Sequence, residues 1–239
     1  MTEFEKQFHE VQELLEFNDF NQTIKRVIDF TLDSENIEFY SKTNEFLNWL
    51  DHNEKEDEDK KTRLKTLLDE LHAFLSKKEC HNHQTIISVK NLQKVYNASF
   101  GLGPINLDIK TGEIIGLVGE NGNGKTTLLR SLCGELHPTS GTINYQFQYD
   151  DLYDLRTKLV YIPQRTDTWR GSMYENLEFT ASCYGYLPEE NNLVVDLVIT
   201  RLGLRKFRKH FWNNLSSGYK MRFELARMLL RKPKILLID

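Results

Sequence analysis

The stretch Ile114-Ile-Gly-Leu-Val-Gly119-Glu-Asn-Gly-Asn-Gly124-Lys125-Thr126-Thr-Leu-Leu-Arg-Ser-Leu-Cys133 decides how this chain is read. An apolar run suited to a strand leads into a glycine-rich turn, and a helix-like run follows it. The middle, Gly119 to Thr126, fits G-x-x-x-x-G-K-[ST], and a strand before it with a helix after it is the setting that pattern needs. Physical chemistry explains the residue types. Backbone N–H groups can curl around a phosphate only if the chain takes unusual dihedrals, which Gly122 and Gly124 allow. Gly119, Asn121, Asn123 and Thr127 complete the cradle, and the helix N-terminus adds partial positive charge. Lys125 supplies a full cation between β- and γ-phosphates, and Thr126 offers a hydroxyl to Mg²⁺. The alternative is a glycine-rich turn that binds nothing, and the flanking strand and helix argue against it.

Outward from that loop, the chain changes character near residue 84. Residues 1–79 hold no Gly and no Pro, the strongest breakers of regular structure. Apolar residues there recur at helical spacing: Phe4, Phe8, Val11 and Leu15, then Ile24, Val27 and Ile28, then Phe46, Leu47 and Leu50, then Leu64, Leu68, Leu71 and Leu75. This periodicity predicts helices near 2–17, 21–32, 34–50 and 57–78. The stripes serve as core or as binding surface, core being the commoner use. The acidic run Glu54 to Asp59 is a loop or a helix start, where negative charge favours the helix N-terminus. After residue 84, short β-branched runs alternate with helical stretches. They predict strands at Ile86–Lys90, Ile105–Ile109, Glu113–Val118, Thr142–Gln146, Lys158–Ile162 and Ile235–Ile238, in an α/β sheet with parallel strands. The expected domains are a helical region, 1–83, and an α/β region, 84–239, with a helical subdomain about 166–215.

Charge follows the same division. Residues 1–83 carry a net charge of −9 and residues 84–239 carry +5. A basic half suits polyphosphate, whereas an acidic half disfavours nucleic acid as a partner. No apolar run is long enough to cross a bilayer, and Met1 to Glu10 lacks an apolar signal region, so the chain is expected in the cytoplasm. Cys80, Cys133 and Cys183 are too few and too scattered for a disulfide framework. Cys80, His81 and His83 cluster, but their spacing matches no usual zinc pattern, and an exposed linker is the reading adopted.

Further motifs sharpen the picture. Leu215-Ser216-Ser217-Gly218-Tyr219 leads through Arg227 and Pro233 into the apolar strand ending at Asp239. Tyr161-Ile-Pro-Gln164 precedes it, and Tyr96 stands well ahead of the phosphate loop. In this order and spacing they resemble the signature motif, the Walker B strand, the Q-loop and the adenine-stacking aromatic of ABC ATPases, over roughly residues 85–239. The resemblance implies an ABC ATPase-type P-loop NTPase fold, incomplete at its C-terminal end and preceded by a small all-α region. It implies ATP and Mg²⁺ as ligands, with Tyr96 stacking on adenine, a role that rests on position. Gln164 would touch Mg²⁺ or the attacking water, and Asp239 would hold Mg²⁺ through water. Ser216, Ser217 and Gly218 would meet the γ-phosphate of ATP on a second ABC ATPase subunit in a head-to-tail dimer. An ordinary capped helix start fits residues 215–219 as well, because Ser216 is a good N-cap. Ser217 replaces the family's usual glycine, and Tyr219 a frequent glutamine.

The resemblance further implies an ATPase subunit of an ABC transporter, lying at the inner face of the membrane. It would touch the membrane only through a separate transmembrane subunit, with no nucleic acid partner. Trp169, Met173, Tyr174 and Phe179 would line the groove for that subunit, though Phe179 suits a core equally. The alternatives are a soluble ABC ATPase acting on ribosomes or nucleic acid, and a non-hydrolysing nucleotide-binding fragment. In the family a general-base glutamate follows the Walker B aspartate, and the next strand inserts between the Walker A and Walker B strands. The chain given ends at Asp239, so it is expected to be the front part of a longer protein. It is also expected to lack the base, to be inactive alone, and to leave a gap in its sheet.

Overall fold

The computed structural model describes residues 2–52, 56–78, 84–97 and 100–239. In chain order, helices α1 (Glu3–Glu16), α2 (Phe20–Ser34), α3 (Ile37–Asp51) and α4 (Asp57–Leu75) come first. Strands β1 (Thr85–Asn97) and β2 (Phe100–Lys110), helix α5 (Lys125–Leu132), strand β3 (Ser140–Tyr145), helix α6 (Leu152–Lys158) and strand β4 (Leu159–Ile162) follow. Helices α7 (Met173–Cys183), α8 (Pro188–Arg201) and α9 (Ser217–Leu230) and strand β5 (Ile235–Ile238) complete the order. The chain forms two compact units, Met1–Glu79 with Thr168–Arg231, and Cys80–Asp167 with Lys232–Asp239.

In the first unit the four expected N-terminal helices form, and local chemistry sets their starts. The side chains of Thr2, Asp19 and Asn36 accept from the backbone N–H groups of Glu5, Gln22 and Glu38, satisfying donors a helix start leaves open. Asp57, Glu58 and Asp59 occupy the first turn of α4, where their charge opposes the positive helix end. The apolar stripes face inward, with Ile28, Leu64, Leu68 and Leu71 fully buried. The same core takes in Val194, Val195 and Leu197 of α8 and Phe223 of α9. Polar bonds reinforce this packing. Asn44 donates to the carbonyl of Leu193 at 3.0 Å, and Arg201 binds Asp29 through two nitrogens at 2.6 and 3.0 Å.

The helices before residue 80 therefore share a core with residues 168–231. The boundary read from composition keeps them in separate domains. Periodicity reveals that a helix has an apolar face, but the face carries no label for its partner.

The second unit departs from the expected parallel sheet. β1 pairs antiparallel with both β2 and β3, in the order β2-β1-β3. Only β4 and β5 pair in parallel, with Tyr161 beside Leu237 and Ile162 beside Ile238. The short link between β1 and β2 permits only an antiparallel return, whereas parallel neighbours need a long crossover, such as the one from β4 to β5.

The strand expected at Glu113–Val118 does not form. Its residues carry no regular structure and pair with no neighbouring strand, and Ile114 and Val118 are 97% and 99% exposed. Apolar composition marks where a strand can form, but pairing makes it one. Beside this segment runs a groove of about 650 Å³, lined by Ile114, Leu117, Leu129, Leu132, Leu236 and Ile238 among others.

Candidate nucleotide-binding site

The Gly119–Thr126 loop packs against β2 at Gly124. Gly122 and Gly124 take φ values of +90° and +81°, which side chains with a Cβ adopt only at a cost. At Gly124 a Cβ would come within 2.8 Å of Leu102 Cδ1, so β2 presses directly beneath the turn. Gly124 is also the N-cap of α5, and Lys125 is that helix's first residue. The Lys125 amine donates to the carbonyls of Gly119 at 2.7 Å and Glu120 at 2.9 Å, which curls it back across the loop. Asn121 and Gly122 form the exposed turn. The N–H of Asn123 donates to the Glu120 carbonyl at 3.3 Å, which closes the turn.

Two strands bring a carboxylate to this loop. The N–H of Asp239 donates to the Ile162 carbonyl at 3.0 Å, which extends the β4–β5 pairing by one step. The Asp239 carboxylate then meets the Thr126 hydroxyl, 3.0 and 2.9 Å from its two oxygens. It also accepts from the Tyr161 hydroxyl at 2.9 Å. Burial, then the hydrogen bond to Asp239, pushes the Tyr161 phenol up to about 12. Sequence reading quoted Tyr161 only as a neighbour of Gln164, because the match between β4 and β5 is not visible along the chain. Gln164 is exposed in the bend after β4.

At the far end of α5's first turn, the Tyr96 hydroxyl lies 3.5 Å from Thr127 Oγ1. The Tyr96 ring is half exposed, with Phe100 at 5.5 Å between ring centroids and the Lys94 amine at 5.8 Å. Tyr96 is therefore a surface aromatic and not a core residue. The donor set around the loop consists of a hydroxyl, a carboxylate, an amine and backbone N–H groups. Hard oxygens suit Mg²⁺, and the cationic and N–H donors suit phosphate.

The signature residues lie in the other unit. Ser216 is the N-cap of α9, without a side-chain capping bond, and Ser216, Ser217 and Gly218 are exposed. The Tyr219 ring packs on Phe207 at 4.0 Å. Deeper in α9, buried Glu224 accepts from Trp169 Nε1 at 2.8 Å and pairs with Arg227 at 2.7 Å. Trp169 stacks on Trp212 at 5.1 Å. Trp169 and Met173 are thus core residues, which corrects the expectation that they line a groove; Tyr174 is partly buried against that core, and Phe179 is 72% exposed. The burial follows from spacing, since Met173 and Leu177 share the inward face of α7. Cys80, His81 and His83 lie outside the described residues.

Both the sequence and the fold have known relatives. A family model described as ABC transporter matches residues 102–239. A methionine import ATP-binding protein of Acinetobacter baylyi is 36% identical over 165 residues, covering 64% of this chain and 46% of that protein. A probable multidrug ABC transporter ATP-binding protein of Escherichia coli is 31% identical over 173 residues, covering 71% of this chain and 30% of its own length. Among solved structures, cbiO1 from Clostridium perfringens, part of the ABC transporter complex cbiONQ, superposes with a TM-score of 0.58 at 29% identity, covering 65% of each chain. The chain spans about half or less of the length of these two sequence relatives.

Proposed function

The chain belongs to the ABC transporter family of ATP-binding domains, and from that premise we propose that it binds Mg²⁺-ATP at the Gly119–Thr126 loop and serves as the ATPase subunit of a membrane transporter. The observation that carries the reading is the meeting of Thr126 and Asp239. It gathers hard oxygen donors at the edge of a loop shaped for phosphate.

In this reading Lys125 neutralises the β- and γ-phosphates and stabilises charge that builds during transfer. Thr126 and Asp239 hold the cation, with Gln164 at the attacking water. Tyr96 stacks on adenine. The exposed Ser216–Gly218 helix start faces ATP bound to a second copy of the domain, and a transmembrane subunit receives the work. Among the described residues no helix is long and apolar enough to cross a membrane, so the proposed membrane contact runs through that subunit. The named relatives import methionine or belong to probable multidrug transport, and their cargoes differ too much to suggest one here.

Binding of a fluorescent ATP analogue with Mg²⁺ tests the site. Lys125→Ala should weaken binding at least about tenfold, since it removes a charge-assisted contact to phosphate. Equal affinity in the variant sinks the site reading. Co-purification from detergent-solubilised membranes tests the subunit role, and a tagged protein that never brings down a membrane protein sinks it.

A further inference from the structure

We propose that Tyr161 is a positioning residue for the cation site, holding the Asp239 carboxylate through its phenol hydroxyl. The proposal rests on the Mg²⁺-ATP reading above and deepens it. Tyr161 pairs with Leu237 across the parallel β4–β5 ladder. Side chains two residues apart on a strand share a face, so Asp239 emerges on the face where Tyr161 stands. The Tyr161 ring packs against the core beneath the loop, beside Leu129, Leu155 and Leu237 in one apolar cluster. That packing fixes the ring, and the hydroxyl at its tip reaches Asp239 Oδ2 at 2.9 Å.

Asp239 has two hydroxyl partners, and they differ in kind. Thr126 belongs to the proposed cation set, so its oxygen has another task when Mg²⁺ is present. Tyr161 lies outside that set and is free to hold the carboxylate in either state. The backbone of Asp239 is fixed by its bond to Ile162, but that bond leaves the side-chain torsions open. Tyr161 removes that freedom by engaging one oxygen and directing the remaining lone pairs toward the loop. Outer partners of this kind orient metal ligands, and losing one typically costs about 10–100-fold in metal affinity.

The test is Tyr161→Phe, which keeps the ring and removes only the hydroxyl. A fluorescent ATP analogue is titrated onto the protein with Mg²⁺ and, separately, with EDTA. The expected result is about a tenfold higher Mg²⁺ requirement, with Mg²⁺-free binding changed less than about twofold. Equal loss in both conditions, or no loss in either, overturns the positioning role. Wild-type protein whose binding ignores Mg²⁺ overturns the cation-site reading itself, and the positioning role with it.

A second measurement covers a variant that folds poorly. In thermal melts without nucleotide, the shift caused by Tyr161→Phe should shrink by at least half in an Asp239→Ala background, which removes the acceptor. Additive shifts overturn the proposal, because residues joined by one bond should not act independently.

Discussion

Thr126 and Asp239 stand 113 positions apart in the chain, yet the hydroxyl of one lies 3.0 and 2.9 Å from the carboxylate oxygens of the other. Thr126→Val removes the hydroxyl and keeps the volume. We predict about a tenfold loss of Mg²⁺-dependent ATP binding. The loss of stability should be only about 1 kcal/mol, because Tyr161 still donates to Asp239. Titration of a fluorescent ATP analogue with and without Mg²⁺, beside a denaturant melt, separates the two effects.

Gly124 sits at φ +81° above Leu102. Gly124→Ala should destabilise the protein by about 1–2 kcal/mol from the left-handed backbone alone, and it should push Leu102 out of place. Urea unfolding reads the loss. Shortening Leu102 in the same chain should relieve the steric share and leave the backbone share. Complete rescue by that second change would show that φ is not the limiting strain.

The exposed ring of Tyr96 gives a third prediction. Stacking on a base is worth roughly 1–3 kcal/mol, so Tyr96→Ala should weaken ATP binding by that amount, while Tyr96→Phe should change it little. The Tyr96 hydroxyl is 3.5 Å from Thr127, at the limit of a hydrogen bond. If Phe proved as damaging as Ala, the hydroxyl and not the ring would be the important group.

Asp29 and Arg201 link α2 to α8 through two hydrogen bonds. Both side chains keep about 30% of their exposure, so solvent screens the pair and its net value is modest. A double-mutant cycle with Asp29→Ala and Arg201→Ala should give a coupling of about 1 kcal/mol, at the upper end for pairs in contact with water. Zero coupling would show that this pair adds nothing to the hold of the shared apolar core and the Asn44–Leu193 bond.

Trp169→Phe deletes the indole N–H donated to Glu224, which is 1% exposed. Loss of a donor to a buried carboxylate should cost about 1–3 kcal/mol. It should also loosen the helix that begins at Ser216. Hydrogen exchange on α9 is the measurement, and unchanged protection there would show that Arg227 alone is enough to anchor Glu224.

The glycine-rich turn and the helix after it were legible along the chain, because positive φ at Gly122 and Gly124 and the helix start at Lys125 are set by local residues. Four N-terminal helices were legible for a similar reason: capping residues and apolar stripes are local features. The segment at Glu113–Val118 misled, because its composition suits a strand but a strand also needs a neighbour. Trp169 and Met173 misled because an aromatic or a methionine looks alike in sequence whether it lines a groove or fills a core. Tyr161 gave no signal at all, since its role depends on a register set elsewhere.

The sequence by itself determined the α/β character around the loop, the helical character of residues 2–78, and the residue types that phosphate and Mg²⁺ require. These follow from dihedral freedom, periodicity and charge within short stretches of chain. Only the tertiary structure decided that helices α1 to α4 share a core with residues 168–231, that β1 pairs antiparallel on both sides, and that Tyr161 and Thr126 meet at one carboxylate. Those outcomes depend on which distant surfaces exclude water together and which strands align, and no local stretch of sequence specifies its partner.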